Sequence, residues 1–290
     1  MDQSKLSIGI TGSHGFIGSH ISKALKKTGK YDLVLFDREK NDLLCKESLK
    51  AFVSERNVIF HFAGANRDTN ENIIRINVLG TLNLLEAIKE YGNKKVKFIF
   101  ISSIQIYTPS FSNSAFKEED INSMPGTIFG LSKLTAEKTI DLYDIDSIIF
   151  RVSNVYGPCS RPFYNSVIAT FCYLIANNNP IQINGDGKQK RDFIFISDVV
   201  DALIKLIDHK EGQKELFNMG SGKLTSLNQV ISIIGEISGK NIKVKYVSDT
   251  KRTSGWVLTN QKKIQSKLKW KPKVNLEDGL KETYLYFKKQ

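Results

Sequence analysis

Three glycines near the amino end have the spacing of a phosphate-binding turn. Gly12, Gly15 and Gly18 follow a short apolar run, Leu6–Ile10, and open a helical pattern that begins at Phe16. Glycine permits a tight turn and a close approach of the backbone to a pyrophosphate, whose charge is stabilised by the N–H groups at the start of a helix. The first gap is one residue longer than in the standard dinucleotide-binding pattern. We therefore predict a phosphate-binding turn, with an ordinary glycine-rich turn as the alternative.

An acidic residue follows where a ribose would bind. Asp37 ends a second apolar run, Leu33–Phe36, about twenty residues beyond the last glycine. A carboxylate at this position accepts hydrogen bonds from both ribose hydroxyls of an adenosine and repels a 2′-phosphate. It favours NAD over NADP, although the neighbouring Arg38 weakens that preference.

Strand-like and helix-length segments alternate through the first half of the chain. The predicted strands are Leu6–Ile10, Asp32–Phe36, Val58–Phe62, Lys97–Ser102 and Ile145–Arg151, and the predicted helices are Phe16–Lys27, Ile74–Tyr91 and Gly130–Leu142. This alternation predicts an α/β fold, a doubly wound parallel sheet of the Rossmann type with helices on both faces. Because proline and glycine become more frequent beyond Asn154, we predict a Rossmann domain over residues 1–153, to which later segments return, and a smaller substrate-binding lobe mainly over 154–290.

Residues able to contact a ligand follow the third and fourth predicted strands and begin a later helix. They are Phe62, Ala63, Gly64, Ser103, Phe129 and Lys133. Doubly wound sheets bind ligands at the carboxyl ends of their strands. Small residues there let a cofactor lie close to the backbone, and Phe129 and Lys133, one turn apart, share a helix face.

Composition argues against several classes of protein. The 290 residues are 41% hydrophobic, enough for a full core, and no apolar stretch reaches the roughly 20 residues of a membrane span. The first residues lack the pattern of a signal peptide, and three cysteines without ligand spacing fit a reducing cytosol, so we expect a cytoplasmic protein. The net charge of +12 comes from scattered lysines. We expect no nucleic-acid partner, no membrane partner and no metal site.

The chain resembles the extended short-chain dehydrogenase/reductase superfamily and, within it, the NAD-dependent epimerase/dehydratase family that acts on nucleotide sugars. The matching segments span almost the whole chain: the glycine turn, Asp37, Asp42-Leu43, His61 to Gly64, Asn77 to Thr81, Ser102-Ser103, Arg151 to Pro158, Arg191 to Ile194, Phe217 to Gly220 and Trp270 to Pro272. The resemblance implies that NAD is bound by residues from several of these segments. They are Gly12, Gly15, Phe16, Ile17 and Gly18 at the pyrophosphate, Asp37 and Arg38 at the adenosine ribose, Asp42 and Leu43 beside the adenine, and Phe62, Ala63, Gly64, Asn77 and Lys133 elsewhere along the cofactor.

The family's catalytic residues are a serine or threonine, a tyrosine and a lysine, the last two in a Tyr-x-x-x-Lys arrangement. Ser103 and Lys133 match the first and the last, and Phe129 occupies the place of the tyrosine. In the family the tyrosine oxygen takes a proton from a sugar hydroxyl, and nearby positive charge lowers its pKa from about 10. A phenyl ring has no proton to exchange, so the resemblance implies a turnover reduced by about 10²- to 10⁴-fold.

Three explanations for Phe129 stay open. One is a deliberate Tyr-to-Phe replacement that traps a bound substrate, and another is a natural homologue that has lost or relocated its chemistry. The third is that Tyr107 acts as a substitute base.

The resemblance also implies the contacts to a nucleotide-diphosphate sugar. Asn154 matches a residue beside the diphosphate, Arg191 and Arg252 match phosphate ligands, and Ser103 and Tyr107 lie near the sugar. Forked guanidinium donors fit phosphate oxygens. Within the cofactor set, Asn77 either caps a helix or holds a structural water.

The residues after Ser103 bear on the reaction. A 4,6-dehydratase of this family has Asp-Glu there, and this chain has Ile104 and Gln105, neither of which shuttles a proton. We therefore predict an epimerase that oxidises sugar C4 transiently, with a nucleotide-sugar dehydrogenase or reductase, and a non-catalytic NAD or nucleotide-sugar binding protein, as alternatives. The helices Ile74–Tyr91 and Gly130–Leu142 resemble the pair that forms the dimer interface in the superfamily, so we expect a homodimer.

Overall fold

The computed structural model describes residues 5–112, 114–121, 124–164, 166–209, 214–248 and 255–290. The strands are β1 Leu6–Thr11, β2 Tyr31–Leu35, β3 Val58–His61, β4 Lys97–Ser103, β5 Asp146–Val152, β6 Asn154–Tyr156, β7 Ile181–Asn184, β8 Lys190–Phe195, β9 Lys214–Met219, β10 Leu224–Ser226 and β11 Val244–Val247. The α-helices are α1 Phe16–Thr28, α2 Lys50–Val53, α3 Asn70–Ile74, α4 Gly80–Tyr91, α5 Ile128–Asp141, α6 Val167–Ala176, α7 Ile196–Ile207, α8 Leu227–Ser238, α9 Lys262–Leu268 and α10 Leu276–Lys288.

The largest sheet has the strand order β2-β1-β3-β4-β5-β9. The pairs β1–β2, β1–β3, β3–β4 and β4–β5 are all parallel. The predicted doubly wound parallel sheet is confirmed, and each of its five predicted strands lies within one residue of an observed one. The chain moves outward from β1 in one direction through β2 and in the other through β3, so the carboxyl ends of β1 and β3 flank the switch point where such sheets bind ligands.

The chain divides into two compact units. The first comprises Met1–Tyr107, Ile121–Val152 and Val200–Phe217, and the second comprises Thr108–Asp120, Ser153–Val199 and Asn218–Gln290. The short segment Thr108–Asp120 joins the second unit because isolated bridges pair Ser110 with Trp256 and Phe116 with Thr259.

Burial in the first unit follows from a sheet covered on both faces. All four residues of β3 and the five central residues of β4 are buried, as expected of parallel strands with helices on either side. Helix α1 buries Gly18, Ile21 and Leu25, which recur at helical spacing and so face the sheet.

The helix predicted over Ile74–Tyr91 is longer and less regular than its periodicity indicates. It begins at Asn70 with Thr69 as N-cap, and the stretch Arg75–Leu79 between α3 and α4 is a π-helix. Single π turns inside α-helices occur frequently at functional sites.

Candidate functional site

The predicted glycine turn joins β1 to α1. Gly12 has a φ of 64°, and the Gly15 N–H donates to the Gly12 carbonyl at 2.9 Å. A Cβ on Gly18 would lie 2.1 Å from the Gly12 carbonyl oxygen, and a Cβ on Gly12 would lie 2.6 Å from the Ala63 nitrogen. Phe16 and Ile17 form the first turn of α1, whose N-cap is Gly15. The turn is therefore a cradle that only glycine fits, with helix N–H groups directed toward its mouth.

Asp37 lies just beyond β2, as predicted. Its carboxylate accepts the Glu39 N–H at 3.0 Å and lies 3.4 Å from Lys40 Nζ, with 41% of its side chain exposed. The Glu39 N–H and, to a smaller extent, Lys40 hold the pKa of Asp37 below its usual value. The carboxylate is thus ionised and accessible, whereas Arg38 beside it is exposed.

The segment predicted beside the adenine is tied to α4. Asn83 Nδ2 donates to the Leu43 carbonyl at 2.9 Å, and a Cβ on Gly80 would lie 3.2 Å from Leu43 Cβ. Leu43 is 7% exposed. Asp42 is exposed, and its Oδ1 accepts the Leu44 N–H at 2.9 Å.

Asn77 fixes the segment that follows β3. Its Oδ1 accepts the Ala65 N–H at 2.7 Å, and its Nδ2 donates to the Ala65 carbonyl at 2.8 Å and to Ser132 Oγ at 2.9 Å. Because Asn77 lies inside the π-helix, the prediction that it heads a helix as a cap is wrong. A Cβ on Gly64 would lie 3.0 Å from Asn77 Oδ1 and 3.5 Å from Lys133 Nζ. Gly64, Asn77 and Lys133 therefore meet at one place.

Lys133 is buried in the core of this cluster, with 6% of its surface exposed. Its Nζ donates to the Ile101 carbonyl of β4 at 2.9 Å. It lies 4.6 Å from the centroid of the Phe100 ring and 6.0 Å from that of Phe129. Burial lowers the pKa of Lys133 to about 8, although the Glu137 carboxylate opposes this shift.

Phe129 and Ser103 are positioned by the ends of α5 and β4. Helix α5 begins after Thr127, whose Oγ1 accepts the Gly130 N–H at 3.0 Å. A Cβ on Gly130 would lie 2.3 Å from the Gln105 carbonyl oxygen, so glycine is what lets α5 start against the residues after β4. Ser103 ends β4, and its Oγ accepts the Gln105 N–H at 3.2 Å, a bond that uses an oxygen lone pair and leaves the hydroxyl proton.

Tyr107 has a different environment from the predicted sugar contact. It is 2% exposed, and its hydroxyl accepts from Arg151 Nη1 at 2.9 Å. Arg151 also forms a buried ion pair with Glu137, with Nη2 2.7 Å from Oε2, and Ser102 Oγ donates to the same carboxylate. The hydroxyl of Tyr107 thus belongs to a buried network, and this geometry favours neither a sugar contact nor a role as substitute base.

His61 joins the glycine turn to α4. It is fully buried at the end of β3, with Nδ1 2.7 Å from Thr11 Oγ1 and Nε2 3.0 Å from Thr81 Oγ1. Burial and, to a smaller extent, the Lys133 charge lower the pKa of His61 to about 3, so the imidazole is neutral.

Two of the predicted substrate residues lie in the second unit. Asn154 Nδ2 donates to the Asp192 carbonyl at 3.0 Å, and Arg191, on the same strand as Asp192, is exposed. The buried Asp192 carboxylate accepts the N–H and the hydroxyl of Ser221 at 2.8 and 2.6 Å. Arg252 lies outside the described residues.

Four residues to which the sequence assigned no role complete the buried hydrogen-bond network of the first unit. They are Thr11, Thr81, Ser132 and Glu137. Two signals were available in the sequence. Arg151 directly follows the apolar run Ile148–Phe150, so it requires a buried partner. Glu137 lies four residues after Lys133 on the same helix face.

Within the described ranges, no helix is long and apolar enough to cross a bilayer. Nor do three or more His, Cys, Asp or Glu side chains group there in a way that could hold a metal ion.

The strand order, the glycine cradle at the switch point and the buried lysine define an α/β protein of the Rossmann type. The model of the NAD dependent epimerase/dehydratase family matches residues 8–220, and the chain belongs to that family. The UDP-glucuronate 4-epimerase of Thermodesulfobacterium geofontis is 30% identical over 94% of this chain and 94% of its own length.

Solved structures are similar over almost the whole chain. The UDP-glucose 4-epimerase of Thermotoga maritima, solved with UDP-glucose, has a TM-score of 0.88 at 28% identity and covers 98% of this chain and 99% of its own. A tyrosine-to-phenylalanine variant of the Bacillus cereus UDP-glucuronic acid 4-epimerase has a TM-score of 0.87 at 27% identity with the same coverage. That variant was solved with NAD and UDP-4-deoxy-4-fluoro-glucuronic acid.

Proposed function

We propose that this chain is an NAD-dependent nucleotide-sugar epimerase that works by transient oxidation at sugar C4, with Phe129 in the place of the acid/base tyrosine. The observation that carries the proposal is the buried Lys133 ammonium 6.0 Å from a phenyl ring one helical turn earlier. On this proposal, the part that the catalytic trio lacks is one hydroxyl group. Turnover is therefore reduced, whereas folding and ligand binding are retained.

The first unit fits a dinucleotide. Gly12 and Gly18 leave room for a pyrophosphate at the start of α1, where any side chain would collide with backbone. The accessible Asp37 carboxylate would accept the adenosine ribose hydroxyls, with Asp42 and Leu43 beside the adenine. Phe62–Gly64 would lie along the cofactor toward Lys133.

The chain's own groups would act on the sugar as follows. When bound, NAD would supply a hydride acceptor for the oxidation at sugar C4. Ser103 would donate its hydroxyl proton to the reacting oxygen. Lys133 would hold a positive charge next to the acid/base position. Such a charge lowers the pKa of a tyrosine hydroxyl, whereas a phenyl ring has no proton to release. Proton transfer is then the step this chain lacks.

The substrate proposed for the second unit is a nucleotide-diphosphate sugar. Arg191 is exposed and Asn154 lies on the adjoining strand, so both fit a diphosphate. Support comes also from the Bacillus cereus variant, which holds a UDP-sugar analogue and NAD although a phenylalanine replaces a tyrosine.

Phe129→Tyr tests the proposal. We expect the variant to interconvert C4 epimers of a UDP-, dTDP- or GDP-sugar about 10²- to 10⁴-fold faster than the parent chain. The matched control is Phe129→Tyr combined with Lys133→Met, which retains the hydroxyl and should lose most of the gain. Epimer ratios measured by chromatography, with NAD binding measured in parallel, give the readout.

The same experiment separates the alternatives. Accumulation of NADH with net sugar oxidation by Phe129→Tyr would indicate a nucleotide-sugar dehydrogenase. Binding of NAD and sugar nucleotide without turnover by either chain would indicate a non-catalytic binding protein. A parental turnover abolished by Tyr107→Phe would identify Tyr107 as the substitute base.

A further inference from the structure

Two anchors hold the short segment 62–65 that follows β3. At its beginning, Thr11 Oγ1 accepts the Phe62 and Ala63 N–H groups, each at 3.2 Å. At its end, the Asn77 side chain binds the N–H and the carbonyl of Ala65. Because the residues between the anchors adjoin both the glycine cradle and Lys133 Nζ, their position decides whether cofactor and lysine are correctly placed.

The hydrogen bonds around His61 have only one consistent direction. The Thr81 hydroxyl lies 2.7 Å from the Asn77 carbonyl oxygen, which can only accept, so its single proton is donated there. Thr81 Oγ1 must then accept from His61 Nε2. His61 Nε2 therefore carries the ring proton.

The state of the other ring nitrogen, Nδ1, follows from the same count of protons and lone pairs. Thr11 Oγ1 accepts from the Ala63 N–H and shares the Phe62 N–H with the Thr11 backbone carbonyl, so both its lone pairs face N–H donors. It must therefore donate its proton to His61 Nδ1, 2.7 Å away. An imidazolium would place a second proton between these atoms without an acceptor, so the site admits only the neutral imidazole.

We propose that His61, as a neutral imidazole locked in the Nε2–H form, is a positioning residue that joins the two anchors of segment 62–65 and so sets cofactor affinity. Through Thr11 it orients the beginning of the segment, and through Thr81 it holds the π-helix whose Asn77 binds the end. The effect on cofactor affinity rests on the proposed NAD binding. The protonation form and hydrogen bonds of His61 do not depend on it.

The hydrogen-bond part is tested in the unaltered protein. The chain has four histidines, so selective ¹⁵N-histidine labelling gives a spectrum in which His61→Phe identifies the His61 signals by their loss. We expect the long-range ¹H–¹⁵N pattern of a neutral ring protonated at Nε2, unchanged across the region near pH 6.5 where an ordinary histidine titrates. An Nδ1–H pattern, or protonation in that region, would overturn the proposal.

The positioning part is tested through Thr81. Thr81→Val keeps the shape and removes both bonds of the hydroxyl, so we expect the NADH dissociation constant to rise about tenfold, and Thr81→Ser to restore most of the loss. Thr283→Val is the matched control, because Thr283 is also fully buried and donates to a carbonyl four residues earlier at 2.7 Å, but on α10. It should bind NADH as the parent does.

The outcomes keep the two proposals apart. Equal NADH affinity in Thr81→Val and Thr81→Ser would overturn the positioning role of His61, whatever the spectrum shows. If the parent chain binds no NAD(H), the proposed function fails, while the spectrum still decides the form of His61. Should Thr81→Val not fold, the spectrum of the parent chain and the affinity of Thr81→Ser remain as tests.

Discussion

Single residues decide what this site can do. Lys133 is a cation held on one backbone carbonyl inside an apolar cluster, and such burial disfavours its charged form. Phe129 has the ring of a tyrosine without its hydroxyl. Under the proposed function, the chemical loss is therefore confined to proton transfer.

The buried Lys133 predicts a dependence of stability on pH. Its pKa is about 8 in the folded chain and 10.5 in an exposed lysine. Between these values the unfolded chain binds a proton that the folded chain has released, so the stability contributed by Lys133 rises with pH across this window and is absent below it. The free energy of unfolding of the parent should gain up to about 3 kcal/mol relative to Lys133→Met as the pH rises. Denaturant titrations of both chains without cofactor measure it, and a constant difference would contradict the prediction.

Asp37 predicts the choice of cofactor. Removing its carboxylate leaves Arg38 and Lys40 as neighbours of a 2′-phosphate, so Asp37→Ser should shift the ratio of NAD to NADP affinity toward NADP by at least about tenfold. Titration of both cofactors measures the ratio. Asp32→Ser, an exposed acid on β2, should leave it unchanged.

At the scale of elements, close backbone approach holds α1 on the glycine turn. A Cβ on Gly18 would lie 2.1 Å from the Gly12 carbonyl oxygen, so Gly18→Ala must push α1 outward. We expect a loss of about 1–3 kcal/mol in unfolding free energy together with a loss of NAD binding. Gly126→Ala, where a Cβ meets nothing within 4 Å, should change stability by no more than about 0.5 kcal/mol. Normal NAD binding by Gly18→Ala would show that the turn is not the phosphate site.

The ion pair between Glu137 and Arg151 joins α5 to β5. Both side chains are almost fully buried, at 3% and 1% exposure, so Glu137→Gln removes the negative charge of a buried pair and should cost about 3–5 kcal/mol. Combining Glu137→Leu with Arg151→Met removes both charges and should recover most of that stability. Chemical denaturation compares these chains with Asp141→Asn, which breaks an exposed pair with Lys138 and should have little effect. A cost below about 1 kcal/mol for Glu137→Gln would argue against a buried pair.

At the scale of the whole molecule, the resemblance to the superfamily predicts a homodimer through α4 and α5. Leu79 ends the π-helix just before α4 and exposes 45% of its surface, so it is available to pack against a partner helix. Leu79→Lys should convert the dimer to a monomer in sedimentation experiments. Leu285→Lys on α10, where the leucine is 42% exposed, should not. A parent chain that sediments as a monomer would contradict the prediction.

Much of the fold was predictable because local patterns and global architecture agree. Five of the six strands of the largest sheet are short apolar runs that were predicted to within one residue, whereas β9 was not predicted. The π-helix around Asn77 was not predictable, because its apolar spacing is that of an ordinary helix and the insertion is stabilised by bonds to Ala65 and Ser132. The family resemblance predicted Tyr107 near the sugar, but the sequence does not reveal that its hydroxyl finds Arg151, 44 residues away, as a buried partner.

The sequence by itself determined the glycine turn, the acid after β2, the alternation of strands and helices, and the absence of a hydroxyl at residue 129. These depend on residue types and short spacings, which local backbone geometry and covalent chemistry translate directly. Only the tertiary structure decided that His61, Asn77 and Glu137 bind partners from 12 to 55 residues away. Hydrogen-bond direction and burial depend on which segments the fold brings together, and no single segment carries that information.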